Sequence, residues 1–327
     1  MAGNGVTRAR SNGGIAEAIR LFPRGLAQPA RGFRFGLDAL LLASFLPGGP
    51  ERLLDLGTGC GAVALGWLLR EGSKTDRVRA VGLEMNPEQA ACALENGVRL
   101  GLAERFDVVQ ADVRSIRTAM KPESFDLVAC NPPYRGQGTG RLPADAGRRA
   151  AIFAGHAGEG QGASAPAGSA EMARMAEEAE DTPESNAAEC PRRPEMLAQV
   201  GASGVSEPDK ADSGRPAAGL ADFIAAAAYA LPERGRACFV FMAERLPVLL
   251  AGFAAHGLEP KRLRLAHPRR EAPARLALVE ARKRGGQGLV VEPPLFLYKG
   301  TRLTTDALAF CPFLSCNSGS KEGDERL

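Results

Sequence analysis

Short apolar runs alternate with longer helical stretches along the first part of the chain. Each run is short enough for a buried strand, and a glycine, an acidic residue or a proline follows it closely. Alternation of strands with helices is typical of a parallel sheet that helices cover on both faces. The pattern therefore predicts a doubly wound α/β fold, with strands at 53–56, 78–84, 106–112 and 125–130 and helices at 39–45, 62–70 and 87–100.

Elements of the same kinds return after a long gap. Alternating apolar positions near the end of this region predict a closing pair of antiparallel strands, followed by one more extended piece. In chain order the predicted elements are a helix at 220–230, a fifth strand at 236–242, a helix at 244–256, the antiparallel strands at 260–267 and 274–283, and the extended piece at 289–298.

The gap itself has a different composition. Residues 156–216 are rich in Ala, Gly, Ser, Glu and Pro and contain hardly any aromatic or β-branched residues. Such a segment cannot bury enough apolar surface to fold by itself. We therefore expect one domain made of residues 21–155 and 219–300, a largely disordered insertion at 156–218, a disordered N-terminus at 1–20 and a C-terminal tail at 301–327.

The composition is typical of a soluble globular protein, with 45% hydrophobic and 24% charged residues among 327. No apolar run approaches the roughly 20 residues of a membrane span, and the N-terminus lacks the apolar core of a signal peptide. The seven cysteines form no CxxC pair, and the three histidines have no metal-ligand spacing. We therefore expect a cytoplasmic protein with reduced cysteines, no metal site and no membrane contact.

The net charge of +3 conceals an asymmetry. Between Gly155 and Gly219 there are about 12 acidic and 5 basic residues, a net charge of about −7. The rest of the chain is therefore close to +10. A basic body is typical of proteins that bind a polyanion such as nucleic acid, and it permits that function without requiring it.

The strand predicted at 125–130 ends in Asn131-Pro132-Pro133-Tyr134. Two prolines remove two backbone donors, which leaves a stiff turn rich in acceptors beside an aromatic face. An exocyclic amine on a nucleobase, or a carboxamide nitrogen, is a weak nucleophile because its lone pair is delocalised. The Asn131 side-chain oxygen and the Pro132 carbonyl can each accept one N–H of such an amine while Tyr134 stacks on its plane, beside an in-line electrophile. An ordinary proline turn is the alternative.

A glycine-rich turn joins the first predicted strand to the helix that follows it. Gly57, Gly59 and Gly61 allow positive φ and the close approach of a ligand to the backbone. Asp55 precedes them, and a carboxylate there would repel a nucleotide phosphate but would suit a cationic ligand with an amino group, such as S-adenosylmethionine. The chain has no GxxxxGK[ST] sequence, which excludes a P-loop.

Two further acidic residues end predicted strands. Glu84 lies about 25 residues beyond the glycines, near the spacing expected of a carboxylate that accepts from both ribose hydroxyls; the alternative is a charge that only ends a strand. Asp112 is placed to accept from an adenine amino group or to cap the following turn. Together with Asp55 and Asn131 these residues follow strands, and open parallel α/β sheets bind ligands at the carboxyl ends of their strands.

Two flanking segments supply candidate substrate contacts. Phe35 and Asp38 either lie beside the cofactor or belong to a helix that only covers the core, with Asp38 capping the helix predicted at 39–45. The basic, glycine-rich stretch after Tyr134 is either a solvated loop or a mobile loop beside the site. In the second case its arginines contact phosphates, namely Arg135, Arg141, Arg148 and Arg149.

Four short motifs follow one another along the predicted sheet: DLGTGCG at 55–61, GLEMN at 82–86, QAD at 110–112 and NPPY at 131–134. In this order and spacing they resemble the class I S-adenosylmethionine-dependent methyltransferases. More narrowly, the chain resembles the bacterial enzymes that methylate N6 of adenine 37 in a valine tRNA. The segments that carry this narrower likeness are RFGLDALLLASF at 34–45, NPPYRGQGTG at 131–140, RLALVEARK at 275–283 and EPPLFLY at 292–298.

The resemblance covers most of residues 21–298 and departs from the usual compact form at the insertion. It implies a seven-stranded sheet, S-adenosylmethionine as the cofactor and tRNA as the partner, with a monomer favoured. It also implies that Asn131, Pro132 and Tyr134 hold the target amine. The cofactor would contact Asp55, Gly57, Thr58, Gly59, Gly61, Glu84, Met85, Asp112, Val113 and Asn131, and the substrate would contact Phe35, Asp38, Pro133, Arg135, Arg141 and Arg148.

Other functions fit the same motifs. N5 of a glutamine in a release factor is one alternative target. The release-factor enzymes usually carry a helical N-terminal domain, whereas only about 50 residues precede the glycine-rich turn here. N2 of a guanine in ribosomal RNA is another. Two further alternatives are a non-catalytic RNA-binding protein on a methyltransferase fold and a nicotinamide dehydrogenase. Neither would need the intact Asn131–Tyr134 turn.

Overall fold

A computed structural model describes residues 12–30, 34–71, 77–133 and 218–317. The predicted insertion lies outside these ranges almost entirely, as do the site candidates Tyr134, Arg135, Arg141 and Arg148. Within the described ranges, no helix has the length and apolarity needed to cross a membrane.

The described helices and strands follow the predicted order. The α-helices are α1 (Asn12–Leu21), α2 (Leu37–Phe45), α3 (Ala62–Glu71), α4 (Pro87–Arg99), α5 (Ile116–Ala119), α6 (Leu220–Ala230), α7 (Leu246–Ala255) and α8 (Thr305–Phe310). The strands are β1 (Arg52–Leu56), β2 (Arg79–Glu84), β3 (Phe106–Gln110), β4 (Leu127–Cys130), β5 (Arg236–Met242), β6 (Leu258–His267), β7 (Leu276–Lys283), β8 (Val290–Val291), β9 (Leu295–Phe296), β10 (Tyr298–Lys299) and β11 (Arg302–Leu303). Short 3-10 helices lie at Val113–Ser115, Ala243–Arg245 and Pro312–Asn317.

Nine of the described strands form one sheet, in the order β3-β2-β1-β4-β5-β7-β6-β8, with β9 also paired to β6. β1 to β5 run parallel to one another, whereas β7 runs antiparallel to both β5 and β6. The chain builds outward from β1 to β3 and then returns to the other side of β1 with β4. This order confirms the predicted doubly wound, mostly parallel sheet. Its seven main strands are the expected ones, and β8 and β9 are two-residue additions at the far side.

The parallel strands are short, apolar runs because helices cover both faces of the sheet. All four residues of β4 are buried, as are the last four of β1, which is the pattern expected of a parallel strand covered on both sides. One cluster of buried side chains lies under α2 and α3 and includes Trp67. A second cluster lies under α6 and α7 and includes Phe239 and Phe253, whose rings meet edge to face at 5.1 Å.

Helix α2 starts earlier than the sequence predicts. Asp38 was expected to cap a helix that begins at Ala39, but the helix begins at Leu37 and Gly36 occupies the cap position without a side-chain hydrogen bond. Asp38 therefore lies in the first helical turn, where the helix dipole stabilises a negative charge. Its side chain points into the protein, and none of its surface is exposed.

Two terminal segments also differ from the prediction. The N-terminal residues expected to be disordered include α1, which covers Asn12–Leu21. The expected tail from residue 301 includes β11, α8 and a 3-10 helix, and Ala307, Cys311 and Leu314 are buried in the cluster under α2 and α3. The apolar residues of this segment are few and closely spaced, so their periodicity is too short to predict a helix reliably. Thr304 caps α8 by accepting from the Ala307 amide at 3.0 Å.

Candidate active site at the carboxyl edge of the sheet

The carboxyl ends of the parallel strands bring the predicted site residues to one edge. Leu56, at the end of β1, pairs with Leu83 of β2 on one side and with Cys130 of β4 on the other. Neighbouring strands in a sheet lie about 4.8 Å apart. The glycine-rich turn that follows Leu56 therefore lies between Glu84, which follows Leu83, and Asn131, which follows Cys130.

The glycine-rich turn has the left-handed backbone that its glycines predict. Gly57 and Gly59 have φ of 68° and 58°, values that are unfavourable for residues with a Cβ. The amides of Gly57 and Thr58 donate to the Leu83 carbonyl at 2.8 and 3.1 Å, which joins the turn to β2. A Cβ at Gly59 would meet the Gln89 side chain at 3.9 Å as its nearest described neighbour. The turn therefore presents bare backbone to the space above it.

Asp55 is buried beneath this turn. Its Oδ2 accepts from the Thr58 hydroxyl at 2.7 Å and from the Ala64 amide at 3.3 Å. Because Ala64 is in the first turn of α3, the carboxylate holds the strand, the turn and the helix together. Burial raises the pKa of Asp55 from 3.8 to about 7, with the Thr58 hydrogen bond opposing the shift. A contact of Asp55 with a ligand amino group stays a prediction.

Glu84 connects the turn to the start of α4. Its Oε2 accepts from the Gly59 amide at 2.9 Å, and its Oε1 accepts from the Asn86 amide at 2.8 Å. Asn86 in turn caps α4 by accepting from the Glu88 and Gln89 amides. Each carboxylate oxygen has a second acceptor site. The side chain is therefore held in place and can still accept from two hydroxyl groups.

Asp112 adopts the capping geometry that was one of its two predicted roles. Its carboxylate accepts from the Arg114 amide at 2.8 Å and pairs with the Arg114 guanidinium at 2.5 Å. These contacts reduce the acceptor capacity left for an adenine amino group, so that contact stays a prediction. The two apolar neighbours differ in exposure: Val113 is buried, whereas Met85, after β2, is 59% exposed.

Asn131 is hydrogen-bonded to Asp38. Asn131 Nδ2 donates to Asp38 Oδ2 at 2.9 Å across 93 positions of sequence. Asp38 is fully buried, and Asn131 is half-buried at the end of β4. The Asp38 oxygen accepts this hydrogen bond, so the NH2 of the amide faces it. The Asn131 side-chain oxygen is thereby turned away from Asp38.

The remaining described candidates lie around this contact. Pro132 is buried and Pro133 is exposed, so the chain leaves the core at this turn. Phe35 lies two residues before α2, and its amide donates to the Gln28 side chain at 3.3 Å. The Phe35 ring is half-buried against the cluster under α2 and α3. The structure brings both segments to the same edge, and their substrate contacts stay predictions.

Burial disfavours the thiolate form of the two cysteines nearest the turn, Cys60 and Cys130. Burial raises the pKa of the Cys60 thiol to about 12, and burial together with the charge of Asp55 raises the pKa of Cys130. Nucleophilic cysteines act as thiolates. A direct transfer between two bound molecules therefore fits the site better than a covalent thiol intermediate. Within the described residues, no three metal-ligating side chains form a group that could hold a metal ion.

Sequence reasoning named Asp38 and Asn131 separately but missed the bond between them. It also missed that the two oxygens of Glu84 clamp the backbone of Gly59 and Asn86. A signal for the first contact was present, because Asp38 interrupts an otherwise apolar helix and a buried carboxylate needs a partner. Nothing in the sequence identifies that partner.

The raised pKa of Asp55 predicts a specific dependence of stability on pH. Because the folded state binds this proton more tightly than the unfolded state, its stabilising effect is complete below pH 3.8 and is lost as the pH rises through about 7. We expect the free energy of unfolding of the wild type to fall, relative to that of Asp55→Asn, by about 1.4 kcal/mol per pH unit in this window. Urea unfolding of both proteins at several pH values measures the difference. A difference that is constant with pH would contradict the assignment.

Comparison with known proteins gives similarity to methyltransferases. Residues 34–125 match the family model of a precorrin methyltransferase domain. The chain is 34% identical over 110 residues to the tRNA1(Val) (adenine(37)-N6)-methyltransferase of Glaesserella parasuis serovar 5, which is 33% of this chain and 44% of that protein. It is 38% identical over 106 residues to the protein of the same name from Shigella boydii serotype 18. That match covers 32% of this chain and 42% of the Shigella protein. The matched stretches thus span less than half the length of these curated relatives.

The fold also resembles that of a solved structure. A predicted O-methyltransferase from Agrobacterium tumefaciens superposes with a TM-score of 0.52 and 17% identity, covering 85% of this chain and 96% of that one. At this identity the likeness concerns the fold alone. The chain therefore has a methyltransferase fold, and its residues 34–125 are similar to a methyltransferase domain in sequence as well.

Proposed function

We propose that this chain transfers a methyl group from S-adenosylmethionine to the exocyclic N6 amine of an adenine in tRNA. The observation that carries the proposal is the hydrogen bond from Asn131 to Asp38, which orients an amide oxygen at the edge where the glycine-rich turn opens. The family model and the fold support the class of reaction. The names of the curated relatives support adenine N6 and tRNA as the target.

The described residues fit S-adenosylmethionine as the methyl donor. When bound, this sulfonium compound supplies an electrophilic methyl carbon. The open backbone at Gly59 accommodates the methionine part together with Gly57, which packs against Phe223, and the fixed Glu84 carboxylate accepts from the ribose diol. Thr58 and Gly61 complete the turn, with Asp55 holding it from below. We assign the adenine of the cofactor to the surface formed by Met85, Asp112 and Val113.

Asn131 and Pro132 hold the target amine. Because Asp38 takes the amide NH2, the Asn131 oxygen accepts one N–H of the amine, and the Pro132 carbonyl accepts the other. Two fixed acceptors favour a pyramidal nitrogen with a free lone pair and stabilise the positive charge that develops during transfer. No base is needed before attack, because the ammonium product is acidic and loses its proton readily.

An adenine in an anticodon loop is a suitable target for this arrangement. An unpaired loop base is extruded at small energetic cost and can be stacked on an aromatic side chain. We assign this stacking to Tyr134, with Phe35 and Pro133 beside the base. The phosphates are assigned to Arg135, Arg141 and Arg148, and position 37 of a valine tRNA is taken from the names of the relatives. We further propose that the protein acts in the cytoplasm as a monomer.

The proposed substrate is tested by transfer of a labelled methyl group. The protein is incubated with labelled S-adenosylmethionine and, separately, with tRNA, ribosomal RNA and release factor from a strain that lacks the protein. We expect label in tRNA alone, and N6-methyladenosine after digestion to nucleosides. Label in release factor or ribosomal RNA would replace the proposed substrate, and a protein that binds no S-adenosylmethionine would overturn the methyltransferase proposal itself.

Replacement of Asn131 by alanine separates catalysis from cofactor binding. Asn131→Ala removes one of the two amine acceptors but no contact that holds the glycine-rich turn or Glu84. We therefore expect methyl transfer to be abolished while the Kd for S-adenosylmethionine stays close to that of the wild type. Single-turnover kinetics and calorimetric titration measure the two quantities. A parallel loss of both would count against the assigned role.

Replacement of Asp38 by asparagine tests whether the carboxylate orients Asn131. An asparagine presents either a donor or an acceptor to Asn131, and the bond it makes is neutral and weaker. We expect kcat to fall by about tenfold with unchanged cofactor affinity, since about 1.4 kcal/mol corresponds to a factor of ten. Asp126→Asn, the same change at the opposite edge of the sheet, is the control and should leave kcat unchanged. Equal kcat in the two variants would show that Asp38 has no orienting role.

A further inference from the structure

Strands β5, β7 and β6 lie beyond β4 in the sheet, and the loops at their ends form a second surface at the edge where Asn131 lies. Met242, at the end of β5, pairs with Leu276, the first residue of β7, and Leu276 pairs with Ala266 near the end of β6. The connection between β6 and β7, residues 268–275, therefore lies at the edge where β4 delivers Asn131.

Strand β9 brings a second segment to this surface. Phe296 pairs with His267 at the end of β6, and the hairpin of β10 and β11 follows directly. We refer to residues 268–275 and 298–303 together as the distal basic surface.

Hydrogen bonds join the two parts of the distal basic surface into one unit. The Tyr298 amide donates to the Pro268 carbonyl at 2.8 Å, and Arg269 Nε donates to the Gly300 carbonyl at 3.2 Å. The connection is closed at its base, where the Arg275 amide donates to the β6 backbone at 2.9 Å. The side chains of this surface therefore project from a backbone that is already ordered, which lowers the entropy cost of binding.

The distal basic surface has an excess of positive charge. Arg270, Lys299 and Arg302 are exposed, and Arg275 is half-buried. No carboxylate of the described residues lies within 4.0 Å of these four side chains. In full, the surface contains Arg269, Arg270, Arg275, Lys299 and Arg302 against one acidic residue, Glu271.

Three basic residues at the opposite edge of the sheet are paired with carboxylates. Arg52 pairs with Asp126 at 3.6 Å, and Lys283 pairs with Glu123 at 3.1 Å. Arg284 and its exposed partner Glu233 lie 2.9 Å apart. These three charges are neutralised, whereas Arg270, Arg275, Lys299 and Arg302 of the distal basic surface have no such partner among the described residues.

Arg270 of the distal basic surface lies over an aromatic ring. Its guanidinium lies over the Phe296 ring, 4.9 Å from the centroid, and the His267 ring packs against the same phenyl group at 5.3 Å. Stacking on an aromatic ring fixes the plane of a guanidinium and leaves its N–H groups free to bind a phosphate bidentately.

We propose that the distal basic surface binds the phosphate backbone of the substrate RNA next to the target base. The inference rests on the proposed function, because it takes RNA as the substrate. Glu84 places an acidic group on the glycine-rich-turn side of Asn131, and the distal basic surface lies on the other side. β4 and β9 are separated by four strand spacings, about 19 Å, so the RNA that flanks a base held at Asn131 reaches this surface.

The test compares two double variants that lose the same charge. Arg270→Gln/Arg302→Gln removes two positive charges from the distal basic surface, and Arg52→Gln/Arg284→Gln removes two from the opposite edge, where exposed ion pairs contribute little stability. Binding of a fluorescent anticodon stem-loop RNA is measured by anisotropy at several KCl concentrations, alongside methyl transfer to tRNA. Affinity for S-adenosylmethionine controls for intact folding in both variants.

We expect the distal variant to bind RNA more weakly, with the slope of log K against log[KCl] reduced by about 1.4 to 1.8, the effect of two lost phosphate contacts. The opposite-edge variant should match the wild type. Equal slopes in all three proteins, with tRNA methylation retained, would overturn the surface proposal and leave the function standing. A wild type that methylates release factor and binds no RNA would overturn both.

Discussion

The hydrogen bond between Asn131 and Asp38 is the constraint on which the site depends. It joins the end of β4 to the first turn of α2 across 93 residues, and it is made by a carboxylate with no exposed surface. The bond places the NH2 of the Asn131 amide against the Asp38 carboxyl group, so that the amide oxygen points away from it. The two prolines already stiffen this turn, and the bond to Asp38 also fixes the orientation of the Asn131 amide.

The glycine-rich turn is fixed by a comparable device on the other side of β1. Asp55 holds the turn from beneath, and Glu84 holds it from the side through the Gly59 amide. The buried Asp55 side chain destabilises the folded state when it is ionised, which is why its pKa is raised to about 7. Such a cost is typical of residues retained for the shape of a site. Glu84 lies on this side of Asn131 and the distal basic surface lies on the other side, beyond β5.

Much of the fold follows from local patterns. Short apolar runs separated by helical stretches predicted the parallel strands, and helix α6 and strand β5 lie at the predicted residues. The hydrophobic pattern did not predict elements that are very short or whose position depends on tertiary contacts. α8 and the 3-10 helix after it have too few turns for a periodicity, and their buried residues are stabilised by α2. The start of α2 was placed wrongly because Asp38 resembles a cap in sequence while its side chain is directed to Asn131.

The sequence by itself determined which residues end the strands and which chemistry they have: glycines that expose backbone, carboxylates that accept, and an Asn-Pro-Pro turn without donors. A parallel sheet then collects these residues at one edge, which the alternation of elements already implied. Only the tertiary structure decided the partner of each group. That Asp38 faces Asn131, that Asp112 pairs with Arg114 and that Glu84 clamps two amides depends on packing between elements far apart in sequence, because hydrogen bonds form between atoms that the fold brings within about 3 Å.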